Sequence, residues 1–188
     1  MEINEIINQH YNRPKEKPRE IGRYHASEIQ SIRKGYTTTG NFFTGKPVDD
    51  QGAYNMFWGS AGEDFLGKIF QEGNLDFTTQ DRLEMQIGDW FISGKVDFNF
   101  PTFILETKCP KETTTGIPDK WKDQMEFYYR ATGKPVKLGI FNKNGGNSII
   151  NFYSYEPSDE RWEEIKVLLQ KFHEKLLKKH QDVSINKK

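Results

Sequence analysis

The stretch Gly94-Lys-Val-Asp97-Phe-Asn-Phe-Pro-Thr-Phe-Ile-Leu-Glu106-Thr-Lys108 sets two carboxylates and an ammonium inside segments that otherwise read as buried β-strand. Side chains alternate between the two faces of a strand. Glu106 and Lys108 therefore share one face, Leu105, Thr107 and Cys109 share the other, and Asp97 arrives from the preceding strand. Three ionisable groups are expected to converge on one sheet edge. An unpaired buried charge is costly, so a divalent cation is the simplest means of neutralising clustered carboxylates there. The competing reading is a structural salt-bridge network across two strands. On the metal reading the chain is an enzyme whose chemistry lies on this hairpin.

Working outward, strand signals at 83–87, 90–100 (with a possible break near Gly94) and 103–108 are joined by short connections, which implies an antiparallel meander. Before it, the spacing predicts a helix over 53–71 that carries the small-residue run Gly59-Ser60-Ala61-Gly62, with Met56, Phe57, Phe65, Ile69 and Phe70 as core candidates. Upstream, 35–52 reads as a loop, and Ser27 is placed to cap a short helix through Ile32. After the meander, 110–120 is a polar loop. A helix over 120–131 follows, with Trp121, Gln124, Met125 and Tyr128 along one stripe and Gly133 ending it. Strands at 136–141 and 149–155 flank a turn at 142–147 as a hairpin. Ser158 then caps a helix to about 179 with apolar Trp162, Ile165, Leu168, Leu169, Phe172 and Leu176. Residues 2–11 carry a weak helical pattern. The expected organisation is an N-terminal arm (1–23), one domain (24–180) and a basic polar tail (181–188).

With 188 residues, 35% of them hydrophobic, and 14 Phe, 8 Tyr and 4 Trp, the chain has material for a sizeable core. Its 27 basic and 27 acidic residues cancel, so a nucleic-acid partner must be met by a local patch rather than a global field. The single cysteine, Cys109, excludes an intramolecular disulfide, a CxxC zinc site and a cysteine-ligated iron-sulfur cluster within this chain, and is consistent with a reducing cytoplasm. There is no signal-like N-terminus and no run of about 20 apolar residues, so a soluble, cytoplasmic protein without membrane contact is expected.

Read together, Gly59-x-x-x-Glu63, Asp97 with Glu106-x-Lys108, and Gln124-x-x-x-Tyr128 occur in an order that resembles the RecB-like branch of the PD-(D/E)XK nuclease superfamily, which includes CRISPR-associated adaptation nucleases. The resemblance spans about 24–142. It implies a restriction-endonuclease-like α/β core, a central mixed β-sheet flanked by helices, and Mg²⁺ or Mn²⁺ as cofactor. It also implies roles. Glu63, Asp97, Glu106 and the Thr107 carbonyl would hold metal, Lys108 would be the catalytic lysine beside Asp97 and Glu106, and Gln124 and Tyr128 would contact the substrate strand. Tyr24-His25-Ala-Ser27-Glu-Ile29 with Arg33-Lys34 resembles the family's N-terminal motif and adds His25, Arg33 and Lys34 as candidate substrate contacts. Lys111, Lys120 and Lys122 are further phosphate candidates, and Tyr128 and Tyr129 could stack bases.

The chain departs from the family in three places. Many relatives have histidine where Glu63 stands, and an acid there favours hard Mg²⁺ or Mn²⁺. Ile32 occupies the place of the first cysteine in cluster-bearing relatives, and no cysteine triplet follows, so no iron-sulfur cluster is expected. Val96 replaces the proline of the superfamily's name. Each candidate has a structural competitor: a solvated helix residue for Glu63, a packing face for Gln124 and Tyr128, a local cap for His25. His10, His173 and His180 read as surface residues, Lys178, Lys179, Lys187 and Lys188 as a solvated end, and Cys109 as a core residue beside the site.

The expected function is a metal-dependent deoxyribonuclease, an exonuclease on single-stranded DNA or DNA ends. It would serve repair, replication or recombination, with a helicase, recombinase or other repair protein as possible partner and the oligomeric state open. The alternatives are a non-catalytic DNA-binding or assembly subunit, and a restriction-type endonuclease.

Overall fold

The computed structural model describes residues 19–43, 50–112, 114–142 and 148–185. Most of the N-terminal arm, the turn at 143–147 and the end of the basic tail, with Lys187 and Lys188, lie outside the described residues, as do His10 and the pattern at 2–11. β1 (Arg23–His25) leads through a 3-10 turn (Ala26–Glu28) into the short helix α1 (Ile29–Arg33). The long helix α2 (Asp50–Glu72) precedes the meander β2 (Thr78–Ile87), β3 (Trp90–Asn99) and β4 (Ile104–Lys108). α3 (Asp119–Thr132), β5 (Val136–Phe141), β6 (Ile150–Ser154) and α4 (Asp159–Ile185) complete the order.

The six strands form one mixed sheet ordered β1-β3-β4-β5-β6, with β2 antiparallel to β3. β4 and β5 run parallel, joined by the crossover helix α3, while β5 and β6 form the expected hairpin. Helices cover both faces, so a residue on an inner strand is buried whichever way it points. One core, with Tyr24, Ile92, Met125, Tyr128, Ile165 and Leu169, lies under α1, α3 and α4. The other, with Leu66, Phe98, Phe100, Leu105 and Phe141, lies under α2. Val96 belongs to the first core and Phe98 to the second, although only Asp97 separates them on β3. β3 thus turns its even-numbered side chains from one core to the other across Asp97.

Several expectations are corrected. β4 is an interior strand, so its charges do not lie on a sheet edge but where β3 and β4 separate, their ladder being two pairs long (Phe98↔Leu105, Asn99↔Ile104). β3 passes through Gly94 without a break, and the glycine serves a close approach. A Cβ there would stand 2.9 Å from the Tyr128 ring and 3.1 Å from that of Phe127. On α2, Met56, Phe57, Phe65 and Ile69 are exposed rather than in the core. The helix docks instead through the i, i+4 row Gly62, Leu66 and Phe70, and Gly62 lies so near the Phe141 ring that a Cβ would stand 2.7 Å from it. β1 is too short to leave a periodic signal, and β2 begins five residues earlier than its apolar alternation. Ser27 lies within the 3-10 turn and makes no capping bond. Ser158 does cap α4, its Oγ accepting from the Arg161 N–H at 3.2 Å. His173 is buried, with its Nδ1 2.8 Å from the Tyr24 hydroxyl, because the apolar stripe of α4 carries it against β1.

Candidate active site

The three carboxylates reach one region from three elements: Glu63 from α2, Asp97 from β3 and Glu106 from β4. Asp97 fills the place where the β3–β4 ladder stops. Its Oδ2 accepts from the Thr107 backbone N–H at 2.7 Å and from the Thr107 hydroxyl at 2.8 Å. The buried Glu106 accepts through Oε1 from Lys108 Nζ and, at 3.0 Å, from Gln124 Nε2. Its Oε2 is buried with no hydrogen-bond partner. Glu63 Oε2 accepts from Gln80 Nε2 at 3.0 Å.

The electrostatics follow from this crowding. Burial pushes the Glu63 carboxyl up to about 7, and the charge of Asp97 pushes the same way against the opposing pull of Lys108. Glu106 is likewise raised to about 7, by burial first, with Lys108 opposing and Asp97 and Glu63 adding repulsion. For Lys108, burial favours the neutral amine, yet Glu106, Asp97 and Glu63 together outweigh it and hold the ammonium above its ordinary range. The shifted groups, Glu63, Glu106 and Lys108, are two of the predicted metal ligands and the predicted catalytic lysine.

Gln124 and Tyr128, one helical turn apart on α3, form a relay beneath Glu106. Gln124 Nε2 also lies 2.6 Å from the Tyr128 hydroxyl, which donates to the Lys95 carbonyl at 2.6 Å. Burial raises the Tyr128 phenol and keeps it a neutral donor. Gln124, which the sequence reading made a candidate substrate contact, here binds Glu106 directly.

Two cavities border these residues, one reached by Glu63 and Lys108 and the other by Gln124 and Tyr128. A cleft of about 680 Å³ is lined by Glu63, Thr107 and Lys108 at its floor and by Met56, Lys120 and Trp121 at its walls. A second cavity of about 290 Å³ is lined by His25, Arg82, Ser93, Lys95, Gln124 and Tyr128. His25 is exposed there, its Nδ1 3.2 Å from the Ser93 hydroxyl. Arg33 is not brought to the carboxylates. Its guanidinium binds the buried Asp123 through Nε (3.0 Å) and Nη2 (3.2 Å), and Glu164 through Nη1 (3.1 Å). Lys34 follows it as the exposed C-cap of α1. Gln80 is a contact of the cluster with no counterpart in the sequence pattern, since nothing about a polar residue near the start of a strand marks it.

Among the described residues, no three His, Cys, Asp or Glu side chains are grouped closely enough to hold a metal ion. The hydrogen bonds explain the spacing: each carboxylate is drawn to its own donor, Asp97 to Thr107, Glu106 to Lys108 and Gln124, Glu63 to Gln80. The donor set nevertheless fits a hard divalent cation. Burial, with the neighbouring negative charges adding to it, raises the carboxyl groups of Glu63 and Glu106, and one buried carboxylate oxygen has no partner.

No protein-family model matches the chain, and no curated protein is similar to it. Solved structures do share the fold. An alkaline exonuclease, LHK-Exo from Laribacter hongkongensis, superposes with a TM-score of 0.65 at 14% identity, over 88% of this chain and 93% of that one. Its complex with dAMP gives 0.66 at the same identity and coverage. The protein SSO0001 gives 0.63 at 16% identity, over 90% of this chain and 84% of the other. The α/β architecture, a mixed sheet with helices on both faces, is therefore the fold of these structures.

Proposed function

We propose that this chain is a Mg²⁺- or Mn²⁺-dependent deoxyribonuclease that hydrolyses phosphodiester bonds, working as an exonuclease on single strands or DNA ends. The observation that carries the reading is the electrostatic cluster of Glu63, Asp97, Glu106 and Lys108, of which Glu63 and Lys108 line one cleft, with a buried Glu106 oxygen left without a partner. Glu63, Asp97 and Glu106, with the Thr107 carbonyl, would hold the cation. A bound divalent ion supplies charge neutralisation at the scissile phosphate and lowers the pKa of water. The absence of cysteine partners for Cys109 leaves no place for an iron-sulfur cluster within this chain.

The chain's own groups do the rest. Lys108 stays protonated beside Glu106, so its ammonium orients the attacking water and stabilises the charge that develops on the phosphoryl oxygens. Gln124 fixes the orientation of Glu106, and Tyr128 fixes Gln124 against the Lys95 carbonyl. Lys120 and Lys111 on the cleft wall meet phosphates, while Trp121 offers a face to a base. His25 and Lys34 are the remaining substrate candidates, on the side of the second cavity. DNA as substrate is supported by the fold shared with LHK-Exo, which has been captured with dAMP. A RecB-like placement within the superfamily, and work beside a helicase or recombinase in the cytoplasm, complete the proposal.

The test is digestion of end-labelled single- and double-stranded DNA with Mg²⁺, Mn²⁺ or EDTA, with Lys108→Ala alongside. Metal-dependent cleavage lost in the variant is the expected result, and the product ladder assigns mode and polarity. A folded, DNA-binding protein that cuts with neither metal would instead be an assembly subunit. Cutting confined to a duplex sequence would make it a restriction-type endonuclease.

A further inference from the structure

The backbone of β2 is in the left-handed region at Gln80, with φ of 57°. That conformation is unfavourable for a residue bearing a Cβ, and such strained positions concentrate at functional sites. Gln80 lies between the pairs Thr79↔Phe98 and Asp81↔Val96, which sets it opposite Asp97, where β3 turns its side chains from one core to the other. The neighbours hold it there. Asp81 Oδ2 accepts from Thr78 Oγ1 and, at 2.8 Å, from Asn99 Nδ2, whose own Oδ1 accepts from Lys134 Nζ at 2.7 Å. Glycine would take this backbone without penalty. What glutamine adds is a carboxamide, and that carboxamide donates to Glu63 Oε2 at 3.0 Å. Because an ionised carboxylate only accepts, the amide must present its nitrogen.

We propose that Gln80 is a positioning residue, its strained backbone aiming an amide that holds the Glu63 carboxylate ready for the cation; this rests on the metal-dependent nuclease reading above. Glu63 rides on a helix that buries only Leu66 among its described side chains, so packing alone fixes it weakly. The amide supplies the missing constraint. Groups that orient a metal ligand without touching the metal change affinity by about 10- to 100-fold.

The experiment is calorimetric titration of Mn²⁺ into wild type, Gln80→Ala, Gln80→Gly, Asp97→Ala, Glu63→Gln and the double variant Glu63→Gln/Gln80→Ala, with melting curves as a folding control. Gln80→Ala should weaken Mn²⁺ about tenfold. Gln80→Gly should show the same loss while melting no lower than wild type, which separates the amide from the backbone. In the Glu63→Gln background, Gln80→Ala should change nothing further. Mn²⁺ affinity of Gln80→Ala within about twofold of wild type, or an equal loss with and without Glu63, overturns the role. Binding that Asp97→Ala abolishes and Gln80→Ala spares removes the role while leaving the nuclease reading intact. No Mn²⁺ binding by wild type removes both.

Discussion

At the level of single residues, the metal-free site opposes itself. Glu63 and Glu106 both have carboxyl groups raised to about 7 from an ordinary value of 4.5. Between those values the folded chain holds protons that the unfolded chain has released, so stability falls as pH rises. In EDTA the protein should therefore melt at a lower temperature at pH 8 than at pH 5.5. Glu106→Gln, which keeps an acceptor for Gln124, should flatten much of that slope; an unchanged slope would mean the carboxyl titrates normally. Lys108→Met should slow cleavage by at least about 100-fold while Mn²⁺ binds as tightly as in wild type or more so, because a neighbouring positive charge is gone. Loss of Mn²⁺ binding in that variant would make Lys108 structural. Asp97, Glu106 and Lys108 were legible because two-residue alternation along a strand has few ways to place them. Gln80 was not, since a left-handed glutamine inside a strand leaves no trace when the residue is not Gly or Asn.

At the level of elements, α3 is held on two sides, and the side away from the site decides where the site-bearing side lies. Asp123 and Glu126 are buried, and Asp123 accepts from both Arg33 and Arg161, the latter at 2.6 Å. Glu126 takes Arg130 at 2.8 Å and the Ser158 backbone N–H at 3.0 Å, and is also bound by the Tyr155 hydroxyl. These bonds tie α1, α3 and α4 into one block behind Gln124 and Tyr128. Arg33→Ala should cost about 1–3 kcal/mol in denaturant unfolding, the cost of leaving a buried acceptor short of a donor, without altering the salt dependence of DNA binding. Lys120→Ala should do the reverse, lowering the salt slope by about 1 with little loss of stability. A reduced salt slope for Arg33→Ala would return it to the phosphate contacts that sequence reading assigned. The helices themselves were readable from their periodicity, cap and terminating glycine. The face that α2 presents was not, because Phe57, Phe65 and Ile69 outweigh Gly62 and Leu66 in any apolar pattern, whereas the close approach at Gly62 is settled only by what lies opposite it.

For the whole molecule, the family resemblance anticipated a mixed sheet flanked by helices: the crossover through α3 sets β4 and β5 parallel, β1 also runs parallel to β3, and short connections leave β2–β3 and β3–β4 antiparallel. The folding equilibrium should feel the cation. A ligand at 100 times its dissociation constant adds about 2.7 kcal/mol, which for a domain of this size raises the melting temperature by roughly 5–10 °C. Mg²⁺ or Mn²⁺ should produce that rise in wild type and not in Asp97→Ala, and equal curves would argue against a resident cation. No helix among the described residues is long and apolar enough to cross a membrane. The chain's one thiol offers another view of the site. Cys109 stands directly after Lys108, partly buried, and borders both the cleft and a pocket of about 290 Å³ walled by Trp58, Phe65, Phe141 and Ile149 on the other side of α2. A sulfhydryl reagent would therefore modify the protein at a single address on the floor of the cleft. Its rate of attachment should slow when an oligonucleotide covers that floor, giving a chemical clock for substrate residence that needs no cleavage at all.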